Sequence, residues 1–210
     1  MESGGGDGES TRRTFIKDAR RAQIVEAAVE TIAEVGYANA SLARIAARLG
    51  ISKGVISYHF AGKDDLDRQV IRQVVEQAAA YMVPRITAQR TGTGQLRMYI
   101  ESNLEFIRDH PKHLTAVVEI LRSAWRREGA RPLRGAVETD QGVRLLAEML
   151  ARFQETGEFR RDFDPRAMAI AIRAAIDSVP PRLIRDPELD IDHFASEIAT
   201  IFELATRTEG

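Results

Sequence analysis

Ser41-Leu42-Ala43-Arg44-Ile45-Ala46-Ala47-Arg48-Leu49-Gly50-Ile51-Ser52-Lys53-Gly54-Val55-Ile56-Ser57-Tyr58-His59-Phe60 is the stretch that decides the fold. Ser41 can cap a short helix on which Leu42, Ile45, Ala46 and Leu49 share one face. Gly50 ends that helix, and Ile51 supplies an apolar plug for the turn. Ser52 is placed to cap a second helix, Lys53 to Tyr58. Two short helices joined by a glycine-containing turn of three or four residues form the helix-turn-helix unit, whose second helix enters the DNA major groove. Ala46 and Ala47 are small enough for the helices to approach closely. A plain helical hairpin has the same spacing, so spacing alone leaves both readings open.

The surroundings are helical as well. Upstream, Ile24, Ala27, Ala28, Thr31, Ile32 and Val35 form one helix face between Thr14 and Gly36. Downstream, a helix opens at Lys63-Asp64-Asp65-Leu66 and is expected to reach Met82 before Pro84 stops it. Leu96, Tyr99, Ile100, Asn103 and Ile107 mark the next, ending near Asp109-His110-Pro111. Leu114 to Trp125 give another, broken by Gly129 to Pro132, and Leu145 to Phe153 a further one before Gly157. Asp164-Pro165 has the form of a cap followed by proline in the first helical position. No window alternates cleanly enough for a strand bounded by turns, so the chain reads as all-α, with about nine helices.

Composition narrows the function. The chain of 210 residues contains no cysteine, which excludes disulfide frameworks, thiolate nucleophiles and cysteine-held metals. No run approaches the roughly 20 apolar residues of a membrane span. Residues 1–13 begin with a glycine-rich, signal-free stretch and read as a flexible tail, and a cytoplasmic location is expected. The net charge is −1, yet from Arg12 to Lys63 nine cations face four anions. A basic third on a near-neutral chain suggests a nucleic-acid module attached to something else. His110 and His113 stand three apart beside Asp109, with Glu119 further on, but the neighbouring proline makes helix capping the better reading than a metal site. No phosphate-binding glycine loop or nucleophile elbow occurs. Neither catalysis nor a cofactor is expected.

The residues Ser41-Leu42-Ala43-Arg44-Ile45-Ala46, Gly50-Ile51-Ser52-Lys53-Gly54, His59-Phe60 and Lys63-Asp64-Asp65-Leu66 together resemble the TetR family of transcriptional regulators. The resemblance covers about Ala19 to Leu66; the remaining chain is similar only in length and helical character. It implies an N-terminal three-helix helix-turn-helix domain, residues 14–66, followed by a helical effector-binding and dimerisation domain, residues 67–210. It also implies a homodimeric repressor on a near-palindromic operator in double-stranded DNA, released by a small-molecule effector. DNA-binding residues would be Ser41, Arg44, Ser52, Lys53, Gly54, Val55, Ser57, Tyr58, His59 and Lys63. Lys53 suits a phosphate or guanine edge, Val55 a thymine methyl or equally the packing of the helix, and Tyr58, His59 and Lys63 the backbone. Many family members carry tyrosine where this chain has Ser57, a departure that removes one ring contact. Arg12, Arg13 and Lys17 fit either a flexible DNA-following arm or a solubilising tail.

For the effector, bulky side chains and polar groups on apolar faces are the informative ones. Met98, Tyr99, Asn103, Phe106, Arg122, Trp125, Met149, Phe153, Arg173 and Asp177 are the pocket candidates, with Arg173 and Asp177 spaced for an intrahelical ion pair. Core packing is the competing reading for the apolar ones. The segment Ala167 to Ile176 is apolar almost all round, so one side needs a partner. Met168, Ile172, Ala175, Ile176, Phe194, Ile198, Ile201 and Phe202 are the dimer-interface candidates, forming a four-helix bundle between subunits. A helical scaffold or adaptor that has lost DNA binding is the alternative function.

Overall fold

The computed structural model describes residues 6–128, 139–183 and 185–208, apart from the side chains of residues 6–13, 125, 127, 128, 139 and 140. These residues form ten α-helices: α1 (Gly6–Val35), α2 (Leu42–Arg48), α3 (Lys53–His59), α4 (Lys63–Thr87), α5 (Gly92–Asp109), α6 (Pro111–Glu128), α7 (Thr139–Glu155), α8 (Pro165–Asp177), α9 (Val179–Leu183) and α10 (Ile191–Thr206). A 3-10 turn, Tyr37–Asn39, links α1 to α2. Extended pairing among them is limited to one isolated bridge, Phe159 with Arg207, which docks the C-terminal end on the α7–α8 connection. The chain is all-α.

Side chains of the capping type start four of these helices. Ser41 Oγ accepts from Arg44 N, Thr91 Oγ1 from Gly94 N, Asp164 Oδ1 from Ala167 N and Asp190 Oδ1 from His193 N, each satisfying an orphan amide of a first turn. Ser52 departs from expectation: it occupies the N-cap position of α3, but its hydroxyl makes no capping bond. Pro84 departs from it as well. α4 runs through Pro84 to Thr87, because the amide that Pro84 lacks would have bonded Ala80, an exposed position whose carbonyl water can serve. The Pro180-Pro181 pair opens α9 instead of breaking the chain, since first-turn amides have no helical partner to lose. The stretch read as a tail is helical from Gly6 onward as part of α1, while residues 1–5 lie outside the described residues. The break expected from Gly129 to Pro132 also falls outside them.

Two apolar cores result. Ile24, Ala28 and Ile32 of α1, Ile45 of α2, Ile56 of α3 and Leu66, Val70 and Ile71 of α4 make the first, which Ala116, Ile120 and Ala124 of α6 complete. The second gathers Leu96, Ile100 and Leu104 of α5, Leu146 and Leu150 of α7, Ile172 and Ile176 of α8, and Ala195 and Ala199 of α10. α6 therefore packs on the first core, although it follows α5 in the chain.

Candidate functional site

Burial of one face of α3 dictates which side chains the other presents. Ile56 and Phe60 are fully enclosed in the first core, which leaves Ser52, Lys53, Gly54, Ser57 and Tyr58 exposed, Tyr58 at 75%. Gly50 turns the chain with φ 64°, in the left-handed region that glycine enters without strain, and Ile51 N then bonds Ala46 O at 3.0 Å. Val55 is half-buried, and Ser41 and Arg44 lie exposed at the start of α2.

The C-terminal end of α3 is gripped by a residue that the sequence reading did not select. Arg21 of α1 donates to the His59 carbonyl and lays its guanidinium 4.5 Å over the Phe60 ring. His59 Nδ1 is buried without a hydrogen-bond partner, and the imidazole meets the Tyr58 ring edge-on at 5.1 Å. Burial holds the His59 pKa below the ordinary histidine range, and the nearby charges of Arg21, Lys17 and Arg20 act in the same sense.

Other cations of the basic third are engaged within the fold. Arg48 forks onto Glu34 at 2.5 and 2.6 Å and reaches Glu30 at 3.0 Å, tying α2 to α1. The Arg48 hydrogen bond lowers the Glu34 pKa. Lys63, expected on the DNA backbone, donates to the Tyr37 carbonyl at 2.9 Å and stands 3.8 Å above the Tyr37 ring. Tyr37 in turn donates to the buried Asp67 at 2.6 Å. Lys63 thus serves first as a tie between the 3-10 turn and α4. Neither Tyr37 nor Asp67 was legible as a pair, because only the fold brings them together across 30 residues.

Among the effector candidates, four converge. Asn103, 8% exposed on α5, donates to the Tyr99 carbonyl at 2.7 Å and accepts from Arg173 of α8 at 3.0 Å. Arg173 also reaches the Tyr99 hydroxyl at 3.4 Å and pairs with Asp177. Burial raises the Asp177 pKa, and Arg173 opposes that rise.

Five others are not brought into this cluster. Phe106 is buried and stacks on His110 at 4.1 Å, and Phe153 packs edge-on against Phe159 at 5.6 Å. Met149 packs on the second core, Arg122 pairs with Glu119 at 3.5 Å, and Met98 is half-buried. The Trp125 side chain lies outside the described residues. A cleft of about 460 Å³ runs between α7 and the start of α8, lined by Val143, Arg144, Ala147, Glu148, Asp164 and Pro165 among others. A second, of about 440 Å³, is lined by Ala151, Gln154, Glu155 and Arg161. Neither is lined by a candidate residue.

The interface candidates need revision on α8. Ile172 and Ile176 point into the molecule's own second core and are essentially inaccessible, since a nearly all-apolar helix hides which of its faces turns inward. Its outward face carries Ala167, Ile170, Ala171 and Ala174 instead. On α10, Ile201 and Leu204 are exposed, while Phe194, Ile198 and Phe202 pack partly on the core, as does Met168 on α8, where Ala175 is half-buried. His113 sits 3.4 Å from Glu26, and among the described residues no three His, Asp or Glu side chains are grouped to hold a metal. No described helix is long and apolar enough to cross a membrane.

This geometry is that of a helix-turn-helix protein with a helical C-terminal body. Residues 24–70 match the family model described as bacterial regulatory proteins, tetR family. The HTH-type transcriptional regulator BetI of Cronobacter sakazakii is 30% identical over 156 residues, covering 73% of this chain and 72% of that protein. The fold is similar to that of the regulator FadR from Bacillus subtilis, solved with stearoyl-CoA, at TM-score 0.76 and 22% identity over 86% of this chain and 96% of that one. It is also similar to FadR from Bacillus halodurans, at TM-score 0.76 and 21% identity over 89% and 99% of the two chains. The chain belongs to the TetR family of transcriptional regulators.

Proposed function

We propose that the protein is a homodimeric, cytoplasmic repressor whose two α3 helices enter successive major grooves of a near-palindromic operator, about 34 Å apart. The observation that carries this reading is the outer face of α3, where Lys53, Ser57 and Tyr58 stand exposed on a helix held by Ile56 and Phe60. Ser41, Arg44, Ser52, Gly54, Val55 and His59 border that face and complete the proposed contact set. Lys63 contributes by holding α4 against the 3-10 turn.

A small-molecule effector is the proposed trigger. The polar cluster Tyr99, Asn103, Arg173 and Asp177 links α5 to α8 beside the second core, and these groups are the proposed anchors for the effector's polar atoms. The stearoyl-CoA held by the Bacillus subtilis regulator supports a ligand-binding role for the C-terminal body here. The proposed division between a DNA-binding unit (14–66) and a sensor (67–210) falls at the start of α4. Ligand binding would favour one of two placements of α4 and α6, both packed on the first core, and so change the separation of the recognition helices. DNA must then weaken effector binding by the same factor.

The test is a gel shift on duplex selected from a random-sequence pool, run over a range of salt concentrations beside a Lys53→Ala, Tyr58→Ala variant. A discrete, salt-sensitive complex that weakens at least tenfold in the variant is expected. Selection that returns no preferred duplex would overturn the repressor reading in favour of an adaptor.

A further inference from the structure

Resting on that reading, we infer that the N-terminal half of α1 is a helical arm that binds the sugar–phosphate backbone of DNA flanking the site read by α3, through Lys17 and Arg20. α1 starts at Gly6, but from Thr14, where its side chains are described, the first buried in the core is that of Ile24. Residues 14–20 are exposed without exception, Phe15 at 73% and Ile16 at 57%. This exposed length of helix contributes nothing to the core and leaves its side chains open to a partner.

Charge selects the partner. Lys17, Arg20 and Arg21 follow the i, i+3, i+4 spacing of one helix face, and among residues 14–23 Asp18 is the sole carboxylate. Arg12 and Arg13 stand further along the same helix. Position selects the same partner. Arg21 grips the His59 carbonyl, and Lys17 and Arg20 are near enough for their charges to act on the His59 ring. The basic stripe therefore begins beside the C-terminal end of α3. A polyanion is the matching partner. From Ile24 back to Arg12 the helix spans about 18 Å at 1.5 Å per residue, enough for up to about five additional base pairs.

Two duplexes separate the possibilities: the selected operator trimmed to its core, and the same operator with ten additional base pairs on each side. The full-length protein is expected to bind the flanked duplex at least tenfold more tightly. Its affinity there should also depend more steeply on salt, by about 0.9 in the log–log slope for each phosphate contact, or roughly 3.6 for the two arms of a dimer. A Lys17→Ala, Arg20→Ala variant should bind both duplexes alike, with unchanged helicity and unchanged base preference. Arg21 is left intact because it holds α3. Equal binding of trimmed and flanked duplexes by the unaltered protein would overturn the arm while leaving the repressor reading standing, and the absence of any specific complex would overturn both. Loss of the dimer in the variant with flank dependence retained would assign α1 to a protein contact and also overturn the arm.

Discussion

A Cβ built on Gly92 would stand 2.6 Å from Phe153 Cγ and 2.8 Å from Cδ1, at a ring that is itself packed on Phe159. The first turn of α5 can therefore approach α7 only without a side chain, and Gly92 N uses that proximity to bond Glu158 at 2.6 Å. Gly92→Ala is expected to destabilise the protein by about 1–3 kcal/mol through overpacking. Gly142→Ala, on α7 with open space around the added methyl, should stabilise it by about 0.5–1 kcal/mol. Denaturant midpoints compare the two, and a Gly92→Ala midpoint at or above that of the unaltered protein would refute the packing argument. At this scale the sequence speaks clearly about caps: Ser41 and Asp164 need only their own next three residues to do their work. It is silent about Gly92, whose reason is a phenylalanine 61 positions away.

The junction of the 3-10 turn with α4 belongs to the scale of elements. Tyr37 and Asp67 share a 2.6 Å hydrogen bond in a buried setting, and Lys63 stands over the same ring. Tyr37→Phe keeps the ring and its cation contact but deletes the donor to a buried carboxylate. The expected cost is about 1–3 kcal/mol. If this junction sets the angle between the helix-turn-helix unit and α4, operator affinity should fall further than the loss of stability alone accounts for. Thermal melts and binding isotherms on the same preparation test this, and an unchanged melting temperature would sink it. Helix periods were legible from apolar spacing, because each buried face recurs every three to four residues. Helix ends near proline were not: Pro84 costs α4 only the bond to the exposed Ala80 carbonyl near its C-terminal end, and the Pro180-Pro181 pair sits in the first turn of α9, where amides have no helical partner.

For the whole molecule, the outward faces of α8 and α10 carry Ile170, Ile201 and Leu204, each more than half exposed in the single chain. Large apolar side chains left exposed on two helices of the same core are the expected mark of a subunit interface. An Ile201→Glu, Leu204→Glu variant is predicted to sediment as a folded monomer at concentrations where the unaltered protein is a dimer, and to lose specific operator binding with it. An unchanged sedimentation coefficient would move the interface elsewhere.

The sequence by itself determined the all-helical class, because apolar spacing and turn residues act within one helix and its ends, and the motif residues from Ser41 to Leu66 together separated a helix-turn-helix unit from a plain hairpin, which spacing alone did not. Tertiary structure alone decided which cations remain available for a partner, drawing Arg48 onto α1 and Lys63 onto Tyr37 while leaving Lys53 exposed. It alone chose the inward face of α8, where nearly every residue is apolar and periodicity carries no preference. It also supplied Asn103 with Arg173 from 70 residues away. Such pairings depend on how helices pack, and a single sequence records the chemistry of each partner but not the distance between them.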